Sequence, residues 1–189
     1  MEVFILMQKF EKTLVLTRRG GERTFLIKKS TAKDTAQIFA LQEAVVHALP
    51  KPQLFVSLTD AELSESLDAD ICLSVFCEGE LCAFTLMIKN RITSRHLGLY
   101  LDYETHELLE TVSFDSAFVS PEFRGFSLQS LLLAEKEHIA RNLGAKRAIA
   151  TVSPENEASF KNLTSNGFNI IEERIMYSGV SRYIVVKIF

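Results

Sequence analysis

The chain has 189 residues, 47% of them hydrophobic and 24% charged, a composition that excludes a disordered or fibrous protein and predicts a sizeable core. A formal charge of −3 and a pI near 5.9 exclude the broad positive field needed for tight nucleic-acid binding. Cys72, Cys77 and Cys82 form an odd set with no CxxC spacing and no nearby His, so neither a disulfide framework nor a metal site is expected.

The opening "MEVFILMQKFEKTLVL" is too short an apolar run to span a membrane, is interrupted by Gln8, Lys9, Glu11 and Lys12, and has no cleavage site. It reads as a strand or edge cover, and the lack of export or anchor signals points to the cytoplasm, with no membrane partner. Lys12 to Thr17 and Arg23 to Lys28 flank "RRGG", a hairpin signal. "STAKDTAQIFALQEAVVHAL" predicts a helix capped at Ser30 or Thr31, with Ala36, Phe39, Ala40 and Val46 at helical spacing and Pro50 and Pro52 beyond it. "SLTDAELSESL" predicts a short second helix capped by Thr59 or Asp60, which leaves Leu49 to Val56 as a loop carrying Phe55.

Ile71 to Cys77 and Leu81 to Ile88 form a second hairpin around "EGE", and Leu108 to Val119 reads as a strand after an irregular stretch with Tyr100, Tyr103 and His106. "SLQSLLLAEKEHIARNLG" is the clearest helix, with Leu128, Leu131, Leu132 and Ile139 toward the core and Gly144 as its stop. "AKRAIATV" is a buried strand, "SPENEASFKNLTSNG" a capped helix, and "FNIIEERIMY" with "SRYIVVKIF" a closing hairpin. The order predicts a single α/β (α+β) domain over 1–189, with an extra N-terminal strand or hairpin at 1–22. Its mixed, mostly antiparallel central sheet would have about seven strands, at least one parallel pair, and about four flanking helices.

"VSPEFRGFSLQSLLL" is a strand, a turn and the start of a helix. A helix N-terminus presents unpaired amides and a partial positive charge, so such a turn can hold an anion; Gly125 would allow positive φ, Arg124 a charge-assisted contact, and Ser127 and Ser130 hydroxyls. An isolated Arg-Gly pair is more often a plain turn, and neither GxxxxGK[ST] nor GxGxxG is present. A second constellation, Asn156, Ser159 and Asn166-Gly167-Phe168 in "TVSPENEASFKNLTSNGF", adds context.

Together, Val119 to Gly125 with its Leu-rich helix and the Asn156 to Phe168 segment resemble the acetyl-CoA-binding half of the GNAT superfamily of N-acetyltransferases, most closely over 110–178. The resemblance implies a GNAT-like acyl-CoA acyltransferase fold. It also implies acetyl-CoA (coenzyme A) as cofactor and acetyl transfer to a primary amine of a small molecule, peptide or protein, by direct attack of the amine on the thioester. The pyrophosphate would sit on the amides after Arg124, over Gly125, Phe126, Ser127, Leu128, Gln129 and Ser130. The pantetheine arm would run beside Phe118 and Val119 and meet Asn156, with Ser159 close by.

Two positions depart from the family pattern. Its loop usually reads R-G-x-G-x-G or R-G-x-G-x-A, whereas Ser127 stands at the second glycine, where it is expected to hold a helical φ and narrow the room for phosphate; a subset of the family shares Leu128-Gln129. Leu163 occupies the position of the usual tyrosine acid and reads as core, so the thiolate's proton would come from water or another side chain such as Tyr177 or Tyr103. The family often places a basic carboxylate on the strand before the turn, where Glu110 and Asp115 stand. Asp115 is the candidate general base, with a solvated or hydrogen-bonded strand residue as its alternative. Among the histidines only His106 invites a test. A non-catalytic acyl-CoA-binding or sensor module is the competing reading, and the strands from Phe168 to Phe189 could alternatively form a dimer edge in an interaction protein.

Overall fold

The computed structural model describes residues 10–18, 21–177 and 179–189. Residues 1–9 of the opening run read as a strand or edge cover, Arg19 and Gly20 of the RRGG signal, and Ser178 lie outside them, while Glu11 to Leu16 of that run are strand. Among the described residues eight strands form a sheet in the order β1-β2-β3-β4-β5-β6-β8-β7, against the expected seven or so. Among the described residues five α-helices accompany them, where about four were expected. By its contacts the chain divides into two compact units, each interleaved in sequence.

The first unit comprises Met1–Ala48, Leu58–Leu86 and Ser116–Leu133. β1 (Glu11–Arg18) and β2 (Gly21–Lys29) pair antiparallel from Glu11 opposite Lys28 to Arg18 opposite Gly21, and β2 buries Phe25 and Ile27 completely. A one-turn 3-10 helix, Ala32–Asp34, precedes α1 (Thr35–His47); Thr31 and Asp34 form a capping box, as the Ser30 or Thr31 expectation required. The buried face of α1 is Ile38, Leu41, Gln42 and Val45, whereas Ala36 and Ala40 of the expected set are exposed. Turning the helix this way buries three large aliphatic chains in place of two methyl groups, which removes more apolar area from water. Gln42 is tolerated there because its amide both donates to and accepts from the Leu58 backbone, at 3.1 and 2.8 Å.

α2 (Asp60–Ala69) starts from Thr59, whose capping box with Glu62 matches the predicted cap. β3 (Ile71–Cys77) and β4 (Glu80–Ile88) are buried along almost their whole length and are joined by Glu78 and Gly79, both at positive φ as a tight hairpin requires. Cys72, Cys77 and Cys82 are buried thiols. Burial pushes the Cys82 thiol up to about 12, so it is an inert core group.

The second unit comprises Leu49–Ser57, Met87–Asp115 and Ala134–Phe189. The segment expected to be strand from Leu108 begins instead as α3 (Thr105–Leu109), five residues held by a Glu104/Glu107 capping box, and β5 runs Thr111–Val119. A helix this short shows no period in sequence. β5 pairs parallel with β6 (Arg147–Val152), the predicted parallel pair, and β6 pairs antiparallel with β8 (Val180–Ile188), which carries β7 (Asn169–Met176) on its other side. α4 (Leu128–Asn142) and α5 (Glu157–Ser165) are the remaining α-helices among the described residues. Leu128, Leu132 and Ile139 of α4 are buried as expected, while Leu131 is half-buried and Leu133 is buried. No described helix is long and apolar enough to cross a membrane.

Candidate functional site

In the first unit, β5 ends at Val119 and the chain turns through a 3-10 helix, Pro121–Phe123, to Arg124, Gly125, Phe126 and Ser127 before α4 begins. Gly125 has φ +89, so the positive φ expected there is present, and a Cβ at this position would meet only Arg18 Cδ at 3.7 Å. Ser127 corrects the expectation of a helical φ: its φ is +58, left-handed, the conformation that glycine takes without steric cost. Where the chain enters α4, Leu131 N donates to Ser127 O at 3.0 Å, joining the turn to the helix ladder. Arg124 is exposed.

Phe118, Phe126 and Leu128 are buried, so toward a ligand only their backbone counts. Phe118 packs on Phe84 with ring centroids 5.2 Å apart, and Phe126 lies edge-on to Phe25 at 5.0 Å. Val119, Gln129 and Ser130 are half-buried. A residue that sequence reasoning missed completes the turn. The Arg18 guanidinium lies 4.6 Å from the Phe126 ring centroid, and its Nη1 donates to the carbonyls of Glu122 and Arg124 at 2.8 and 2.9 Å. An amide-rich turn with two guanidinium groups and Glu122 as its one acid has the donor chemistry of an anion site.

In the second unit, Asp115 is partly buried and accepts from Arg95 Nη2 at 3.0 Å. Its charge also acts on Lys136 and Tyr177. Lys136 of α4 is 2% exposed, with Nζ 4.5 Å from the Phe114 ring centroid; burial lowers its pKa to about 7 against the opposing pull of Asp115. The sequence signal for it is that Leu128, Leu132, Lys136 and Ala140 follow one another at four-residue steps, so a lysine stands in a core stripe.

Tyr177 OH lies 3.2 Å from Thr151 Oγ1. Burial raises the phenol pKa, the Thr151 hydrogen bond lowers it, and the Asp115 charge raises it again, with a net upward shift that keeps the proton on oxygen. Tyr103, the other proton source considered, packs against Gly98 and lies beneath the Arg147 guanidinium, 5.3 Å from its ring centroid. Leu163 is buried, as its reading as core required. Glu110 precedes β5 instead of lying on it and pairs with Lys146 and Arg147.

Asn156 is the N-cap of α5. Its Oδ1 accepts from Ser159 N at 3.1 Å, and its Nδ2 is 3.5 Å from Leu54 O. Ser159 is half-buried on the first turn. Gly167, φ +88, ends the helix and lets Phe168 turn into the core against Phe114, centroids 5.7 Å apart. His106 is exposed and 3.4 Å from Glu104. His96 is fully buried; its Nδ1 accepts from Gly98 N at 3.0 Å and its Nε2 faces Thr111 O at 2.9 Å, which requires the neutral ring with the proton on Nε2. Burial lowers its pKa accordingly.

No protein-family model matches the chain, and no curated protein matches it. Solved structures do. A GNAT-family acetyltransferase from Streptococcus pneumoniae superposes with TM-score 0.63 at 22% identity, covering 87% of this chain and 99% of that one. The ribosomal-protein-S18-alanine N-acetyltransferase from Escherichia coli gives 0.64 at 15% identity, covering 87% and 93%. A third, yncA from Salmonella typhimurium, was solved with its cofactor acetyl-CoA and gives 0.62 at 19% identity, covering 87% and 93%. The chain therefore shares the fold of these structures, the GNAT fold.

Proposed function

We propose that the protein is an N-acetyltransferase that uses acetyl-CoA to acetylate a primary amine of a small molecule, peptide or protein. The observation that carries this reading is the turn after Arg124, with Gly125 at positive φ and guanidinium groups from Arg18 and Arg124, set between β5 and α4 of a GNAT fold. Acetyl-CoA would supply an acyl group activated as a thioester. In the first unit the backbone from Gly125 to Ser130 would hold its pyrophosphate, and the Phe118-Val119 backbone would line the pantetheine arm. In the second unit Asn156 and Ser159 would serve that arm, a role carried by the family resemblance.

An amine attacks only in its neutral form, so an acceptor of high pKa must lose a proton. Asp115, a carboxylate oriented by Arg95, is the acceptor of that proton, directly or through water. Tyr177 retains its proton at neutral pH and takes the role of acid that Leu163 cannot fill. Reduced, buried thiols fit a cytoplasmic location.

Calorimetric titration with acetyl-CoA tests the reading. Micromolar binding, about −8 kcal/mol, that weakens in Arg124→Ala supports the anion turn, and undetectable binding by the wild type sinks it. Thiol release with an amine panel then separates enzyme from sensor. Turnover that falls in Asp115→Asn while acetyl-CoA affinity holds supports the base; binding with no turnover on any amine supports the non-catalytic module, which the buried Leu163 favours.

A further inference from the structure

Arg18 stands at the end of β1 opposite Gly21, and strand alternation puts it on the same face of the hairpin as Leu14, Leu16 and their partners Phe25 and Arg23. That face carries the 121–126 turn. Phe25 meets Phe123 and Phe126 edge-on, with centroids 6.1 and 5.0 Å apart, and the Arg23 guanidinium lies 5.5 Å from the Phe123 centroid. Arg18 itself covers Phe126, and its single Nη1 gathers the carbonyls of Glu122 and Arg124.

The consequence follows from peptide geometry. In a trans peptide the N–H points opposite to the C=O, and the described chain has no cis bond. Fixing the Arg124 carbonyl toward Arg18 therefore fixes the Gly125 N–H away from it. The Phe123 N–H, on the peptide of Glu122, is already used, donating to Ser120 O at 3.0 Å. The Gly125 N–H donates no hydrogen bond among the described residues. Without Arg18 the Gly125 peptide could turn over, because glycine meets almost no steric barrier to doing so, and a carbonyl would then face any bound anion.

We infer that Arg18 is a positioning residue for the anion turn: it draws back the Glu122 and Arg124 carbonyls so that the Gly125 amide faces the pyrophosphate of the cofactor. This rests on the acetyl-CoA reading. The ligand chemistry is a diphosphate, and the 3′-phosphate of coenzyme A is the other anion that could respond.

The test is calorimetry of wild type, Arg18→Ala and Arg18→Lys with coenzyme A and with 3′-dephospho-coenzyme A, with melting temperature measured alongside. Arg18→Ala should weaken both ligands about tenfold, to the same extent, while Arg18→Lys, which keeps donors for both carbonyls, recovers most of the loss. Equal affinity in wild type and Arg18→Ala would overturn the role and leave the acetyl-CoA reading intact. A loss confined to coenzyme A would also overturn it, by moving the contact to the 3′-phosphate. Failure of the wild type to bind either ligand would remove the acetyl-CoA reading itself, and this inference with it.

Discussion

Ser127 sits in backbone territory that favours glycine, with φ +58, and an L side chain held there costs roughly 1 kcal/mol. Ser127→Gly should relieve that strain and raise Tm by about 2–4 °C, whereas Ser127→Ala, which keeps the Cβ, should not. Removing the exposed hydroxymethyl group also frees room at the turn, so under the proposed reading acetyl-CoA affinity should hold or improve in the glycine variant. A fall in affinity on the same titration would mean that the serine hydroxyl is itself a ligand contact. Sequence showed that serine replaces glycine here, but φ is decided by how the chain must leave the 3-10 turn and enter α4, and no residue type announces that.

At the scale of elements, α5 joins two roles in one side chain. The Asn156 carbonyl oxygen caps the helix at Ser159 N, and its amide nitrogen, which donates one N–H to Leu54 O, keeps a second N–H that under the proposed reading would serve the pantetheine arm. Asn156→Ala should cost about 1 kcal/mol of stability through the lost cap. Asn156→Asp keeps a capping oxygen and adds a charge favourable at a helix N-terminus, but removes the N–H donor. The aspartate variant should therefore melt near the wild-type temperature and bind acetyl-CoA more weakly; undiminished binding would reduce Asn156 to a cap. The caps at Thr31 and Thr59 and the period of α4 were legible because each depends on residues within one turn of the chain. α3 was not, since five residues complete too little of a period to stand out from a strand.

For the whole molecule, buried bases set the pH dependence of stability. Lys136 has its pKa lowered by burial from 10.5 to about 7, so between those values the unfolded chain binds more protons than the folded one and stability rises with pH. The raised Cys82 and Tyr177 oppose this only above their ordinary values of 9.0 and 10.0, which leaves pH 7 to 9 as the clean window. His96 acts in the same direction lower down: its depressed pKa gives stability that is present above 6.5 and lost as pH falls. Lys136→Met should flatten the rise between pH 7 and 9 and lift Tm at pH 7 by about 4 °C or more. An unchanged slope in pH-dependent melting would show that Lys136 is not the group responsible.

Sequence alone determined the hairpins, the main helices, the parallel pair, the absence of a disulfide pattern and the strand-turn-helix around Arg124-Gly125, because periodicity, caps and turn residues act over a few neighbouring positions. Tertiary structure decided the rest. Arg18 reaches the turn from more than a hundred residues away in sequence, Lys136 becomes abnormal only when Phe114 and the core close over it, and Asp115 acquires Arg95 through a loop with no motif of its own. These are contacts made by burial and by strand register, and burial belongs to the folded surface, which no local stretch of chain encodes by itself.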